Sequence, residues 1–176
     1  DDVQYAVRKW QFDILRRHGV CSGIEAQPHV TLKLGFKCKD LETIAEEMRS
    51  FAAVSSPIKL RLHDFGQFDE GIIFLNVTDT ATFDEYRLRL LGALEQSHSV
   101  LPRPIEQDGF HPHVTVVRDL SRSTFKYEVG RFADISADFF CIANRVAMLV
   151  SVDDRWSVYQ VCALAGEMHV DPCGRS

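Results

Sequence analysis

The chain lacks the marks of several broad protein classes. It has no apolar run of about 18 residues, which excludes a membrane-spanning helix and predicts no membrane partner. Its N-terminus has no basic segment followed by an apolar stretch, so it does not resemble a secretory signal. None of its 5 cysteines lies in a Cys-x-x-Cys pair. Their odd number and scattered positions predict reduced thiols and a cytoplasmic location.

An excess of positive charge is also missing. The chain has 20 Lys and Arg residues against 25 Asp and Glu residues, a formal net charge of −5. This balance argues against a large non-specific nucleic-acid surface. It still allows one small anionic substrate in a locally positive pocket. A length of 176 residues and 45% hydrophobic residues predict one globular domain, residues 1–176. Nothing in the sequence specifies the oligomeric state, and a monomer is the default expectation.

The most informative feature present is a repeated phrase. Pro-His-Val-Thr occurs at residues 28–31 and again at residues 112–115. In a β-strand, residues i and i+2 point to the same face, so each copy presents an imidazole beside a hydroxyl. The valine between them faces the other way, toward a core. The predicted catalytic residues are therefore His29, Thr31, His113 and Thr115.

These residue types suit the chemistry of a phosphodiester. Its cleavage needs a base, an acid, and hydrogen-bond donors for the phosphate oxygens. The ordinary pKa of histidine lies near 6.5, so at neutral pH one imidazole can accept a proton while the other donates one. The two copies begin chain halves of similar length and pattern, which indicates an internal duplication. Two strands brought together by such a duplication would surround one small site.

The hydrophobic periodicity predicts alternating helices and strands. Asp40 is predicted to cap the second helix, and Thr82 with Glu85 to form a capping box for the third. The segment 99–110, with two prolines and a glycine, is predicted to be an irregular connection between the halves. Helices are expected near 2–18, 40–53, 83–97 and 122–133, and strands near 29–35, 58–63, 72–77, 112–118, 137–141, 145–152 and 157–164.

This order predicts an α+β fold. Each half runs strand, helix, strand, strand, which favours antiparallel sheets with helices on their outer faces. We expect a bilobal, pseudo-twofold arrangement whose two sheets form a central groove. The N-terminal helix covers about residues 2–18, the first lobe about 20–98, and the second lobe about 110–165.

The motifs resemble those of the 2H phosphoesterase superfamily, most closely its 2′-5′ RNA ligase and cyclic-nucleotide phosphodiesterase branch. Residues 32–36, hydrophobic and then glycine, resemble the continuation of the family's first motif. Residues 110–118 resemble its second motif, including the basic Arg118 five residues after the histidine. Residues 150–151 and Tyr159 resemble its closing strand pair. The resemblance covers about residues 25–165.

The resemblance implies a bilobal fold with a central groove, no cofactor and no metal. It implies cleavage of a cyclic phosphodiester, such as a nucleoside or RNA 2′,3′-cyclic phosphate, to a monoester. It also implies a nucleotide or a short RNA as the substrate. His29 and His113 match the catalytic pair, and Thr31 and Thr115 match the phosphate-binding hydroxyls.

Four further residues are weaker candidates for substrate binding. Lys33 shares strand parity with His29 and Thr31, so it either neutralises a phosphate or is a solvated lysine at a strand end. Phe36 either stacks on a base or packs in the core. His111 has the parity of His113 and is expected at the rim of the site. Arg118 has the parity of the core-facing valine in a regular strand, and it reaches the site only if the strand twists or ends there. These candidates are Lys33, Phe36, His111 and Arg118, with Tyr159 added by the resemblance.

Several alternatives remain open at this point. His111 and His113 have an i, i+2 spacing that can chelate zinc, although Gln27 stands at the equivalent place in the first copy. A non-catalytic module could keep the fold and only hold a nucleotide. Within the enzyme class, the substrate could instead be ADP-ribose cyclic phosphate or a 2′-5′ oligonucleotide, and reversible 2′-5′ ligation is a further possibility.

Overall fold

The computed structural model describes residues 2–68, 71–98, 100–107, 109–153 and 155–166. No helix in this part of the chain is both long and apolar enough to span a bilayer. The described residues form helices α1 (Asp2–His18), α2 (Leu41–Ala53), α3 (Ala81–His98), α4 (Pro104–Gln107) and α5 (Arg122–Ala133). The strands are β1 (Ile58–Phe68), β2 (Ile72–Thr78), β3 (His113–Val117), β4 (Asp138–Ala143), β5 (Arg145–Val152) and β6 (Arg155–Ala163).

The larger sheet has the strand order β3-β2-β1-β4, and every neighbouring pair is antiparallel. Its apolar face is covered by α1 and α5. Trp10 of α1 lies edge-on to Phe65, Phe132 and Phe139, with ring centroids 4.9, 6.2 and 6.2 Å away. The strand register fixes which residues share the opposite, open face. This open face presents Lys59 and Arg61, Asn76 and Thr78, His113 and Thr115, and Phe140 and Ile142.

The second sheet consists of the antiparallel pair β5 and β6. Helix α2 packs against it and also against α3, where the rings of Phe51 and Tyr86 meet edge-on at 4.9 Å. The prediction of an α+β fold with antiparallel sheets and outer helices is therefore confirmed.

Most predicted helix limits are also confirmed. Gly19 ends α1 with a positive φ of 73°, and the Asp40 side chain accepts hydrogen bonds from the first amides of α2. The capping box is wrong: α3 begins at Ala81, so Thr82 lies inside the first turn instead of preceding it. The segment 99–110 is not wholly irregular, because it contains the short helix α4.

The larger sheet takes two strands from each half of the sequence. Strands β1 and β2 belong to the first half, and β3 and β4 to the second. The central pairing of β1 with β4 is long-range, for example between Arg61 and Phe140. The larger sheet therefore crosses the lobe limits expected from the sequence, 20–98 and 110–165. The division of the chain into these two lobes stays a prediction.

The prediction of a strand at residues 29–35 is wrong. Only Val30 pairs, in an isolated antiparallel bridge with Val114. Beyond it, the backbone amide of Leu34 donates to the carboxylate of Glu106 at 2.6 Å, and Lys33 pairs with the same carboxylate. A side chain therefore satisfies a backbone donor that a strand neighbour would otherwise bind. Residues 28–31 are here called the first motif segment.

Candidate active site

The two Pro-His-Val-Thr copies meet at the Val30–Val114 bridge. Val114 is buried and Val30 packs against the core, so both valines take the inward direction that the sequence predicts. Residues on either side of an antiparallel bridge point to the opposite face. The bridge therefore brings His29, Thr31, His113 and Thr115 together on that face. The arrangement has a local twofold character, because the bridging valine is the third residue of both copies.

The two histidines make the same hydrogen bond. Nδ1 of His29 lies 2.7 Å from the carbonyl oxygen of Gln27, and Nδ1 of His113 lies 2.7 Å from that of His111. A carbonyl oxygen can only accept, so each Nδ1 carries the proton and donates it. The Nε2 atom of each ring is thereby left to exchange a proton with a ligand. Both imidazoles are prepared for acid or base chemistry at the same atom.

His113 is more enclosed than His29. Its ring centroid lies 4.7 Å from that of Phe74 and 5.2 Å from that of Phe68, whereas His29 is exposed. Burial lowers the pKa of His113, and the nearby imidazoles of His111 and His29 lower it further. The neutral form of His113 therefore persists to lower pH than that of an ordinary histidine.

A glycine makes room for this aromatic wall. Gly66 is the strand partner of Phe74, and a Cβ atom built on Gly66 would collide with the Phe74 ring. The ring therefore lies across the glycine and reaches His113. This close approach is a reason for glycine in the middle of β1.

The two threonine hydroxyls are available for a ligand. Thr31 and Thr115 are half-buried, and in the described part of the chain neither hydroxyl has a hydrogen-bonding partner. Each lies two residues after its histidine. A ligand oxygen placed beside either imidazole would therefore also find a hydroxyl donor on the same motif.

His111 lies beside His113 and is exposed. Its Nε2 lies 3.0 Å from Oδ1 of Asn76, and its ring is 6.4 Å from that of His113. Asn76 in turn donates from Nδ2 to the carbonyl oxygen of Asp64, which fixes the orientation of the amide. Sequence reasoning did not find Asn76. The signal for it is one polar residue inside the apolar run of β2, directly opposite His113 in the sheet.

Lys33 forms a buried ion pair. Its ammonium group lies 2.6 Å from Oε2 of Glu106, and its side chain is 6% exposed. The Glu106 side chain is fully buried and also accepts from the backbone amides of Leu34 and Arg103. The reading of Lys33 as a solvated lysine is therefore wrong, and its role at a phosphate stays a prediction. Phe36 lies beside this pair, half exposed, with the Lys33 ammonium 5.4 Å from its ring centroid.

Arg118 pairs with an acidic side chain, and its role in substrate binding stays a prediction. Its guanidinium lies 2.5 Å from Glu25, and its backbone amide donates to the carbonyl oxygen of Ser22. Strand β3 ends at Val117, and Arg118 bridges the chain at Ser22 instead of continuing along the site. Tyr159 lies on the second sheet, where its hydroxyl donates to Glu42 of α2 at 3.2 Å. The structure brings neither residue to the paired histidines.

The described residues contain no group of three or more His, Cys, Asp or Glu side chains suited to hold a metal ion. In the candidate zinc pair, Nδ1 of His113 donates to the His111 carbonyl and Nε2 of His111 is engaged with Asn76. The four cysteines in the described part are free thiols, and Cys173 lies outside it.

A twofold pair of His-x-Thr motifs, on the open face of an antiparallel sheet, defines a two-histidine phosphoesterase architecture. Comparison with known families agrees. A family model described as the 2′-5′ RNA ligase superfamily matches residues 1–155, and the chain belongs to this superfamily.

Curated relatives have similar lengths. A Geobacillus sp. protein named "Putative phosphoesterase" is 27% identical over 145 residues, covering 80% of each chain. An Oceanobacillus iheyensis protein with the same designation is 28% identical over 145 residues, covering 78% of this chain and 79% of its own. These relatives and the superfamily support an enzyme that acts on phosphoesters.

Two solved structures share the fold. TT0787 of Thermus thermophilus superposes with a TM-score of 0.69 at 19% identity, covering 95% of this chain and 94% of its own. Escherichia coli LigT, crystallised with 3′-AMP, superposes with a TM-score of 0.52 at 17% identity, covering 90% of each chain.

Proposed function

We propose that the protein hydrolyses cyclic phosphodiesters, of the nucleoside or RNA 2′,3′-cyclic phosphate type, by acid–base catalysis with two histidines and without a metal. The observation that carries this proposal is the pair of matched imidazoles on either side of the Val30–Val114 bridge. Each leaves Nε2 free, and each has a threonine hydroxyl two residues away. Membership of the superfamily and the 3′-AMP bound by LigT support a nucleotide substrate.

The proton transfers of this reaction balance within the histidine pair. Nε2 of one neutral imidazole accepts a proton from water as the water oxygen attacks phosphorus. The bond from phosphorus to one ribose oxygen breaks, and Nε2–H of the other, protonated imidazole donates to that oxygen. The product is a phosphate monoester. Exchange with solvent then restores both protonation states.

We assign the base to His113 and the acid to His29. The buried position of His113 lowers its pKa and favours the neutral form, which a base requires. His29 is exposed and can take up its proton directly from solvent. The difference in surroundings gives two chemically identical motifs different parts in one reaction.

The hydroxyls of Thr31 and Thr115 donate to the non-bridging phosphate oxygens. We expect Thr31→Val and Thr115→Val each to lower kcat by about 100- to 1,000-fold, since the loss of one donor to transition-state charge has effects of this size. Steady-state kinetics on a nucleoside 2′,3′-cyclic phosphate measure this. Thr31→Ser and Thr115→Ser are the matched controls, because they keep the hydroxyl and should retain most activity. Equal losses in the serine and valine variants would contradict the role of the hydroxyl.

The pH dependence tests the assignment of the base. A base must be unprotonated, so the rate falls as pH drops through the pKa of His113, and the lowered pKa keeps the enzyme active at acidic pH. We expect Phe68→Ala to hydrate His113 and raise its pKa. The acidic limb of the kcat/KM profile should then move to higher pH. An unmoved limb in a folded Phe68→Ala protein would remove His113 from the role of base.

The proposal as a whole is tested by turnover, with a chelator present, of nucleoside 2′,3′-cyclic phosphates and short 2′-5′ oligonucleotides. Product analysis separates hydrolysis from 2′-5′ ligation, which the name of the superfamily makes the second candidate. Cleavage of the cyclic phosphates to monoesters is the expected result. A folded protein that binds nucleotides without converting any of them would identify a binding module.

A further inference from the structure

Strand β4 carries two apolar side chains on the face that bears the histidines. Phe140 is 77% exposed and Ile142 is 53% exposed. The register places them there: Phe140 is paired with Arg61, Arg61 with Thr78, and Thr78 lies two residues from Asn76, the partner of His113. Paired residues share a face, and so do residues two apart along a strand. Phe140 and His113 therefore project from the same side of one sheet.

The exposure of these side chains is not explained by the core. Phe139 and Cys141 alternate with Phe140 and Ile142 along the strand. Phe139 and Cys141 face inward and pack against the core. Polar residues are the usual occupants of solvent-facing positions on an edge strand, and Asp138 is one of them. Two neighbouring apolar groups on an edge strand, on the same face of the sheet as a candidate active site, mark a contact surface.

Positive charge accompanies this surface. The guanidinium carbon of Arg61 lies 5.3 Å from the Phe140 ring centroid, and Asp138 holds the same guanidinium through two hydrogen bonds of 3.0 Å. Lys59 is the strand partner of Ile142 and is exposed. In a chain of net charge −5, an exposed aromatic ring beside Arg61, with Lys59 on the same neighbouring strand, suits a nucleobase and the phosphates that flank it.

The distance across the sheet indicates which nucleotide reaches Phe140. Strands β3 and β4 are three strand spacings apart, about 14 Å. With its cyclic phosphate at the histidines, the terminal nucleotide is too short for its own base to reach Phe140. The base of the preceding nucleotide can reach it. Arg61 lies between the histidines and Phe140, where the phosphate joining the two nucleotides would pass.

We propose that Phe140 is a stacking site for the nucleobase that precedes the terminal cyclic phosphate, with Arg61 facing the connecting phosphate. This inference rests on the proposed function and narrows its substrate class to the 3′ end of an oligoribonucleotide. A mononucleotide fills the catalytic part of the open face and leaves Phe140 uncovered.

The test compares two substrates: a trinucleotide ending in a 2′,3′-cyclic phosphate, and the 2′,3′-cyclic mononucleotide of the same terminal base. The wild type should prefer the trinucleotide. Phe140→Ala should lower kcat/KM for the trinucleotide by about 5- to 100-fold, the usual effect of losing one stacked base. It should leave the mononucleotide within about twofold, and Phe140→Tyr should restore the preference. Phe12→Ala, at a 59% exposed phenylalanine of α1, is the matched control.

Each outcome of this test supports or overturns the stacking site at Phe140. Equal effects of Phe140→Ala on both substrates, or a wild type without preference, would overturn the stacking site while the proposed hydrolysis stands. If the wild type converts neither substrate, the proposed function fails. The affinity of the protein for a labelled trinucleotide 3′-phosphate then tests whether Phe140 stacks on a base. Weaker binding by Phe140→Ala than by Phe12→Ala then supports the stacking site, and equal binding overturns it. A wild-type dimer that Phe140→Ala dissociates, with unchanged substrate preference, would assign the surface to contact between copies of the chain.

Discussion

His29→Ala and His113→Ala are each expected to lower kcat for a nucleoside 2′,3′-cyclic phosphate by about 100- to 10,000-fold, the usual contribution of one general acid or base. The two imidazoles act on one bond in one step, so the double variant should lose much less than the product of the single losses. Stopped or continuous assays of monoester release measure this effect. His29 is exposed, so its loss should leave the fold intact.

His63→Ala is the matched control for this experiment. His63 lies on β1, where its Nδ1 is 3.1 Å from a carboxylate oxygen of Asp64, and it belongs to neither motif. Its removal should change turnover of the mononucleotide by less than about threefold, within the small effects of surface substitutions. Activity that survives both motif substitutions would place the active site elsewhere on the molecule.

Lys33→Met is expected to lower the free energy of unfolding by about 3–5 kcal/mol, because it leaves the buried Glu106 carboxylate without its cation. Urea denaturation followed by circular dichroism measures this change. Lys37→Met, an exposed lysine on the same segment, is the matched control and should change stability by less than about 0.5 kcal/mol. Equal stability of the two variants would mean that the Lys33–Glu106 pair does not hold the fold.

The same pair gives the protein a defined acid sensitivity. Burial alone would raise the pKa of Glu106, but the hydrogen bonds from Lys33 and from the amides of Arg103 and Leu34 outweigh it and lower the pKa. A carboxyl with a lowered pKa stabilises the folded state above the pKa of the unfolded chain. That stability is lost as the pH falls through the pKa of the folded state. Lys33→Met should therefore weaken the acid dependence of unfolding.

The pair also gives Lys33, which has the parity of the predicted catalytic residues, a partner within the fold. Glu106 anchors Lys33 and the amide of Leu34, directly after the first motif segment. It thereby fixes the chain that carries His29 and Thr31. We expect Lys33→Met to reduce activity through the position of this segment, and a loss of stability should accompany any loss of turnover.

Local sequence patterns predicted much of this molecule. Strand parity alone set His113 and Thr115 on the face opposite Val114, and β3 has that geometry. The apolar periodicity after Asp40 predicted the limits of α2 to within about one residue. Both signals, the capping side chain and the periodic apolar face, lie within a few turns of the helix itself. In a regular strand, parity would place Arg118 on the face of Val114, and the structure pairs it with Glu25.

The remaining features depend on residues that are distant in the sequence. The sequence by itself determined the two His-x-Thr motifs, the four longer helices and the α+β class, since each is encoded within a few neighbouring residues. Only the tertiary structure decided that Lys33 meets Glu106, that His111 meets Asn76, and that β1 pairs with β4 across the two halves. Such contacts are selected by the packing of the whole core and by the need to pair every buried charge, which no local window of residues contains.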